Sequence, residues 1–98
     1  MKKMSDSEIM NQLKSLPNWE FHQNSLQINL TLKNFNECMT VVNKIAIESE
    51  LLNHHPEWTN SYNTLFIKLT THDVKGISLL DFKLAKSIVR ITEEIAGA

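Results

Sequence analysis

The sequence predicts an α+β fold in which three helices pack on one face of a four-stranded antiparallel sheet, in the order α-β-β-α-β-β-α. Apolar residues alternate with polar ones in some segments, which is typical of half-buried strands. In three other segments they recur every three to four residues, which is typical of amphipathic helices. Short turns join successive strands, and such pairs are antiparallel. With 98 residues, the chain is expected to form a single domain over residues 1–98.

Capping and alternation predict the first helix and the first two strands. Ser5 followed by Glu8 is a capping-box pattern that begins a helix over residues 5–16. Residues 19–25 are predicted to form a short strand and the polar turn that follows it. Over residues 26–33, leucine and isoleucine alternate with polar residues, which predicts a second strand with one buried face.

The second helix has a start signal and a stop signal. Asn34 with Glu37 is a capping pattern, and apolar residues at helical spacing follow it. The helix should end near Asn53, because asparagine tolerates the left-handed conformation common just past a helix end. Pro56 also disfavours helical geometry at His55.

The last three elements are a second strand pair, over residues 57–63 and 65–71, and a last helix. Ser78 with Asp81 caps that helix, which is expected to run to about residue 95. Its apolar face is broad for a helix that covers only one sheet, which predicts either a partner helix from another subunit or a deep intramolecular groove. Two adjacent stripes make up this face: Leu84, Ile88, Ile91 and Ile95, and Phe82, Ala85 and Val89.

Composition excludes several function classes. The ten basic and eleven acidic residues are mixed and give a net charge of −1, so the basic patch of a nucleic-acid-binding protein is absent. No apolar run approaches the roughly 20 residues of a membrane span, and we expect no membrane interaction. The single cysteine, Cys38, cannot form an internal disulfide and is predicted to be a small core residue. With no apolar signal core at the N-terminus, these features predict a cytoplasmic protein.

Three of the four histidines lie in two short segments, as His54, His55 and His72. Histidine has an unperturbed pKa of roughly 6.5, so it can both give and accept a proton near neutral pH. If the second helix extends to His54, Glu50 lies four residues before it on the same face and can orient the imidazole. His72 is expected at the end of a strand, and Asp81 can reach the same region from the last helix.

These residue types are compatible with three interpretations. Unmetallated imidazoles can act in acid–base catalysis. A zinc ion can be bound by three histidines, although the usual helical spacing of zinc ligands is absent. In the third interpretation, His54 and His55 only cap the helix and His72 is an ordinary surface residue.

A series of short motifs decides among these interpretations. They are Glu50-x-x-x-His54-His55-Pro56-Glu57-Trp58, Asn60-x-Tyr62-Asn63, Thr71-His72-Asp73, Gly76-Ile77-Ser78 and Asp81. In order and spacing the chain resembles the pterin-4a-carbinolamine dehydratases, a family also known as the dimerisation cofactor of a hepatocyte homeodomain factor. A weaker match reaches back to Trp19, whereas the first fifteen residues match poorly. Val74 stands where some members carry a cysteine.

The resemblance implies an activity and an assembly. The family's enzymes are hydro-lyases that dehydrate a 4a-hydroxytetrahydropterin, made by an aromatic amino-acid hydroxylase, to the quinonoid dihydropterin. The reaction needs no metal and no organic cofactor, because the pterin is the substrate. The fold implied is the one predicted above, and members form homodimers or homotetramers through the last helix.

The resemblance also implies the roles of site residues. His54 and His72 would be the general acid and base, in an order that the sequence leaves open. His55 would bind substrate and assist, while Glu50 and Asp81 would orient the histidines. Trp58 either stacks on a planar ligand or anchors the packing. The expected substrate-binding residues are Asn53, His54, His55, Trp58, Thr70, Thr71, His72 and Asp73.

Three alternative functions remain compatible with the sequence. Animal members of the family stabilise a transcription-factor dimer, so one alternative is a protein-binding, coactivator-like role. A second is a pterin-related role in molybdenum-cofactor metabolism. The third is a zinc hydrolase.

Overall fold

The computed structural model describes residues 1–97 and confirms the predicted element order and the α+β class. One 3-10 turn, over His72–Val74, is not indicated by any sequence pattern. Within the described chain, no helix is both long enough and apolar enough to cross a membrane. The other elements are α1 (Asp6–Leu13), β1 (Glu20–His22), β2 (Ser25–Thr31), α2 (Phe35–Leu52), β3 (Glu57–Ser61), β4 (Thr64–Leu69) and α3 (Leu79–Ala96).

All four strands form one antiparallel sheet in the order β1-β2-β4-β3. The central pair places Leu26 of β2 opposite Leu69 of β4, and both side chains are buried. Alternation along each strand puts these leucines on the face that the helices cover. In the same register, Glu57 at the start of β3 lies opposite Lys68 near the end of β4. The start of β2, the end of β4 and the start of β3 therefore meet at one end of the sheet.

The helix boundaries follow the predicted capping. The Ser5 backbone N–H donates to the Glu8 carboxylate, and the Glu8 N–H donates to the Ser5 hydroxyl. The first of these hydrogen bonds lowers the pKa of Glu8 below its usual range. Helix α1 ends at Leu13, three residues earlier than predicted, because the next residues form tighter i to i+3 turns. Helix α2 ends at Leu52, and Asn53 adopts the expected left-handed conformation with φ 51°.

The breadth of the α3 apolar face is explained within the chain, by the intramolecular packing that was the second interpretation of it. The apolar residues of both stripes pack against other parts of the same chain, because α3 contacts α2 as well as the sheet. After the exposed first residue, Leu79, the large apolar side chains of α3 are buried or half-buried. The two most exposed large apolar residues of the helices lie on α2, where Ile47 is 61% exposed and Leu51 is 76% exposed.

Cys38 confirms its prediction as a core residue. It lies in the first turns of α2 and is completely buried beneath the sheet. Because the thiolate would be removed from water there, burial raises the pKa of the Cys38 thiol.

Candidate active site

A buried histidine–carboxylate pair joins the end of α2 to the start of α3. His54 directly follows the helix cap Asn53, and its Nε2 atom lies 2.6 Å from Oδ1 of Asp81. The His54 side chain is 10% exposed and the Asp81 side chain is 0% exposed. A carboxylate this deeply buried requires hydrogen-bond donors, so Nε2 carries a proton and donates it to Asp81. The other ring nitrogen of His54, Nδ1, is then the atom at which the imidazole can gain or lose a proton.

The second oxygen of Asp81 is also fully engaged. Its Oδ2 accepts the Thr71 hydroxyl at 2.7 Å and the Ser78 backbone N–H at 2.9 Å. The Ser78 hydroxyl lies 2.7 Å from the Thr71 oxygen and donates to it, since Thr71 has used its own proton on Asp81. Asp81 is therefore both the predicted capping residue of α3 and the group that fixes the His54 ring.

Glu50 contacts a different histidine from the one expected. Its Oε2 lies 2.5 Å from Nε2 of His55, and both side chains are largely exposed. The predicted pairing of Glu50 with His54 required α2 to continue through His54. The helix ends at Leu52 instead, and the left-handed Asn53 turns the chain so that His54 points inward and His55 reaches back to Glu50.

His55 and His72 line a common cleft at the end of the sheet where β2, β3 and β4 meet. The cleft has a volume of about 490 Å³. We expected His72 at the end of a strand. Because β4 stops at Leu69, His72 begins the 3-10 turn instead. The cleft is lined by Gln23, Asn24, Ser25, His55, Pro56, Glu57, Lys68, Thr70, His72 and Lys75.

The other predicted site residues do not line this cleft. Two of the three imidazoles share the cleft, whereas His54 and Thr71, each next in sequence to a cleft residue, contact the buried Asp81. Trp58 lies opposite Ile67 in the sheet and is half-buried against the core, which is the packing position. Asn53 caps α2, and Asp73 is exposed in the 3-10 turn. Among residues 1–97, no group of three His, Cys, Asp or Glu side chains is placed to hold a metal ion.

Several cleft residues were not predicted as site residues. Gln23 and Asn24 come from the β1–β2 turn, and Lys75 follows the 3-10 turn. Lys68 lies on β4, where its Nζ is 3.5 Å from the Glu57 carboxylate. The positions of these residues in the sequence do not indicate that they share a cleft, because only the register of the strands brings them together.

Comparisons with known proteins agree with the resemblance. The sequence profile described as "Pterin 4 alpha carbinolamine dehydratase" matches residues 2–91. A protein of Prochlorococcus marinus, provisionally assigned as a pterin-4-alpha-carbinolamine dehydratase, is 48% identical over 93 residues, which cover 95% of this chain and 97% of that protein. A similarly assigned protein of Christiangramia forsetii is 42% identical over 93 residues, covering 95% and 96% of the two chains.

A solved structure shows that the likeness extends to three dimensions. The crystal structure of a transcriptional coactivator/pterin dehydratase from Brucella melitensis superposes with a TM-score of 0.90 at 29% identity, covering 92% of this chain and 98% of that one. The fold predicted from the sequence is thus that of a solved relative. From the profile match and these similarities, the chain belongs to the pterin 4 alpha carbinolamine dehydratase family of enzymes.

Proposed function

We propose that this protein dehydrates a 4a-hydroxytetrahydropterin to the quinonoid dihydropterin and water, with histidine side chains as acid and base and without a metal or organic cofactor. One observation carries the proposal: two imidazoles, His55 and His72, line one cleft, and the neighbouring His54 is held by a 2.6 Å contact with the buried Asp81. Family membership supports the reaction type. The enzyme would recycle the pterin cofactor of an aromatic amino-acid hydroxylase.

The chemistry requires two proton transfers. The C4a–oxygen bond breaks and the hydroxyl leaves as water, so a general acid must supply a proton to it. A ring nitrogen of the pterin loses its proton to a general base, and the electron pair released forms the new double bond. Imidazole suits both transfers at neutral pH. We assign these transfers to His72 and His54, and a binding and assisting role to His55.

The cleft suits a small, flat and polar substrate. Its volume of about 490 Å³ falls within the range of roughly 300–1,000 Å³ that is usual for small-molecule sites. The side-chain amide of Gln23 offers a hydrogen-bond donor and an acceptor to the polar edge of a pterin, and the oxygen of the Thr70 hydroxyl can accept a further hydrogen bond. Asn53 directly precedes His54 and Asp73 directly follows His72, so their backbone groups are the further candidates for contacts with the polar edge of the pterin.

The two histidine assignments predict separate losses of rate. We expect His72→Ala and His54→Ala each to lower kcat by about 10²-fold or more, because a positioned acid or base contributes about 10²–10⁴-fold. Dehydration is measured on substrate generated by a hydroxylase, with the spontaneous rate subtracted and with and without a chelator. His22→Ala is the matched control, since this fourth histidine is exposed on β1 outside the cleft. Near wild-type rates in both variants would overturn the catalytic assignment, and a rate abolished by chelation would overturn the metal-free one.

We further propose that the chain assembles as a homo-oligomer, as the family resemblance implies. The contact predicted on α3 loses its support, because the apolar stripes of that helix are buried within the chain. The exposed Ile47 and Leu51 on α2 are four residues apart and lie on one helix face. They provide the apolar surface that an interface requires. The coactivator-like alternative also depended on the α3 face and is left without that observation.

A further inference from the structure

The turn between β1 and β2 is hydrogen-bonded to the loop that carries His72. The Asn24 side-chain amide donates to the carbonyl oxygen of Lys75 at 2.9 Å. In the reverse direction, the Thr70 hydroxyl lies 3.2 Å from the Asn24 carbonyl oxygen and 3.2 Å from that of Gly76. These contacts join segments about 50 positions apart in the sequence, since Asn24 and Lys75 are separated by 51 residues.

The Asn24 side of this contact is conformationally well defined. Gln23 and Asn24 are the two central residues of a tight hairpin turn, with φ of 49° and 63°. Two positive φ angles match the right-handed twist of the flanking strands, and asparagine adopts them more readily than most residues do. The hairpin therefore presents the Asn24 amide from a fixed backbone.

The His72 side has few other attachments. Residues 72–75 form a small loop closed at its base by the Thr71 N–H, which donates to the Gly76 carbonyl at 2.8 Å. On its inner side, Thr71 is bonded to Asp81. Beyond the base, the loop depends on its own turn, in which the Lys75 N–H donates to the His72 carbonyl at 3.0 Å and Lys75 has a left-handed φ of 54°. The Asn24 amide, which is not part of this loop, donates to the carbonyl of Lys75.

We infer that Asn24 is a positioning residue for the reaction, which holds the His72 loop against the β1–β2 turn and so fixes the His72 imidazole in the cleft. Within the described residues, His72 has no side-chain hydrogen bond that would orient its ring. The placement of the ring consequently depends on the backbone that carries it. The inference rests on the proposed function, in which His72 acts on the substrate. A small displacement of a catalytic group from its reacting position lowers the rate.

The test uses two substitutions that keep the turn. Asn24→Gly retains the positive φ and removes the side-chain hydrogen bond. Asn24→Asp retains the shape but places a carboxylate oxygen against the Lys75 carbonyl, where no donor remains. We expect kcat to fall by about 3- to 10-fold in Asn24→Gly, in line with the loss of one hydrogen bond, and further in Asn24→Asp. Tyr62→Gly is the matched control, since Tyr62 has a positive φ of 51° in the β3–β4 hairpin outside the cleft.

Two further measurements separate positioning from the alternatives. In a His72→Ala background, Asn24→Gly should lower the rate no further, since there is no imidazole left to place. The NMR resonances of the His72 ring should shift or broaden in Asn24→Gly and stay unchanged in Tyr62→Gly, and this readout does not depend on activity.

The outcomes are distinct. Unchanged kcat together with unchanged His72 resonances in Asn24→Gly would overturn the inference. So would a rate loss that persists undiminished in the His72→Ala background, or an increase in KM alone, because Asn24 would then act on the substrate directly. If His72→Ala itself retained full activity, the proposed function would fail at that residue, and the ring resonances alone would decide whether Asn24 positions the loop.

Discussion

Asp81→Asn is the substitution that tests the buried layer of the site most directly. The side chains have nearly the same size, but one acceptor oxygen becomes an NH₂ donor and the charge is lost. The remaining oxygen can serve either the Thr71 hydroxyl and the Ser78 N–H, which are two donors, or His54, which is one. The two-donor side retains more hydrogen bonds, so the amide NH₂ should face His54.

This arrangement reverses the His54 ring. With an NH₂ group 2.6 Å from it in place of Oδ1, Nε2 must accept a hydrogen bond and the single proton of the neutral ring moves to Nδ1. Nδ1, the nitrogen to which we assign the proton transfer, then already carries a proton and cannot accept one. A buried aspartate that fixes the tautomer of a catalytic imidazole has a large effect on kcat in other enzymes. We expect kcat to fall by about 10²-fold or more, within the range for loss of a positioned acid or base.

The stability cost should be moderate. The variant keeps the two hydrogen bonds at one oxygen and loses the charge-assisted character of all three, which should cost about 1–3 kcal/mol. A small domain has a free energy of unfolding of about 5–15 kcal/mol, so Asp81→Asn should remain folded. The loss of rate and the loss of stability can therefore be measured on the same sample.

The assay combines turnover, urea unfolding and the NMR assignment of the His54 tautomer. Asp6→Asn is the control, because Asp6 is an exposed acidic residue in the first turn of α1. The reasoning would be refuted if Asp81→Asn, shown to be folded, kept its kcat within about threefold of wild type, since the reversed tautomer should lower kcat by about 10²-fold. A retained Nε2–H tautomer with reduced kcat would refute the tautomer explanation specifically.

Two predictions concern other parts of the molecule. The double variant Ile47→Glu/Leu51→Glu should shift sedimentation towards monomer, because two charges would replace the largely exposed apolar pair on α2; a wild-type protein that is monomeric at all concentrations would contradict the assembly. Burial raises the pKa of the Cys38 thiol, so above roughly pH 8.5, where the unfolded thiol ionises, only the unfolded chain releases this proton and the free energy of unfolding falls. The free energy of unfolding, measured in urea at about pH 7 and about pH 9.5, should therefore fall less in Cys38→Ala than in wild type. An equal fall in the two proteins would contradict this.

Local signals predicted the fold well because they depend on residues three or four positions apart. Ser5 with Glu8 and Ser78 with Asp81 form the predicted capping boxes, and Asn53 ends α2 as expected. The breadth of the α3 face left two interpretations open, because burial depends on where α2 lies and a helical pattern carries no information about its neighbours.

The site was only partly predictable for the same reason. The sequence pointed to the histidines and to Asp81 by residue type and by resemblance, but the contacts between them span 27 positions for His54 and Asp81. The pairing of Glu50 depended on a single left-handed residue, which directed His55 to it in place of His54. Asn24 is a turn residue by pattern, and only the sheet register brings it to Lys75.

Asp81 shows why stability and activity should be coupled in the buried layer and separable in the cleft. Its Oδ2 accepts the Ser78 N–H at the start of α3 and its Oδ1 accepts the His54 ring, so a substitution of Asp81 that frees His54 also disturbs the helix cap. His72 is exposed and has no comparable structural contact among the described residues, so removing its ring should lower turnover while leaving unfolding nearly unchanged. If the urea midpoints of His72→Ala and Asp81→Asn fell by the same amount, the division of the site into a buried layer that also stabilises the fold and a cleft that does not would be wrong.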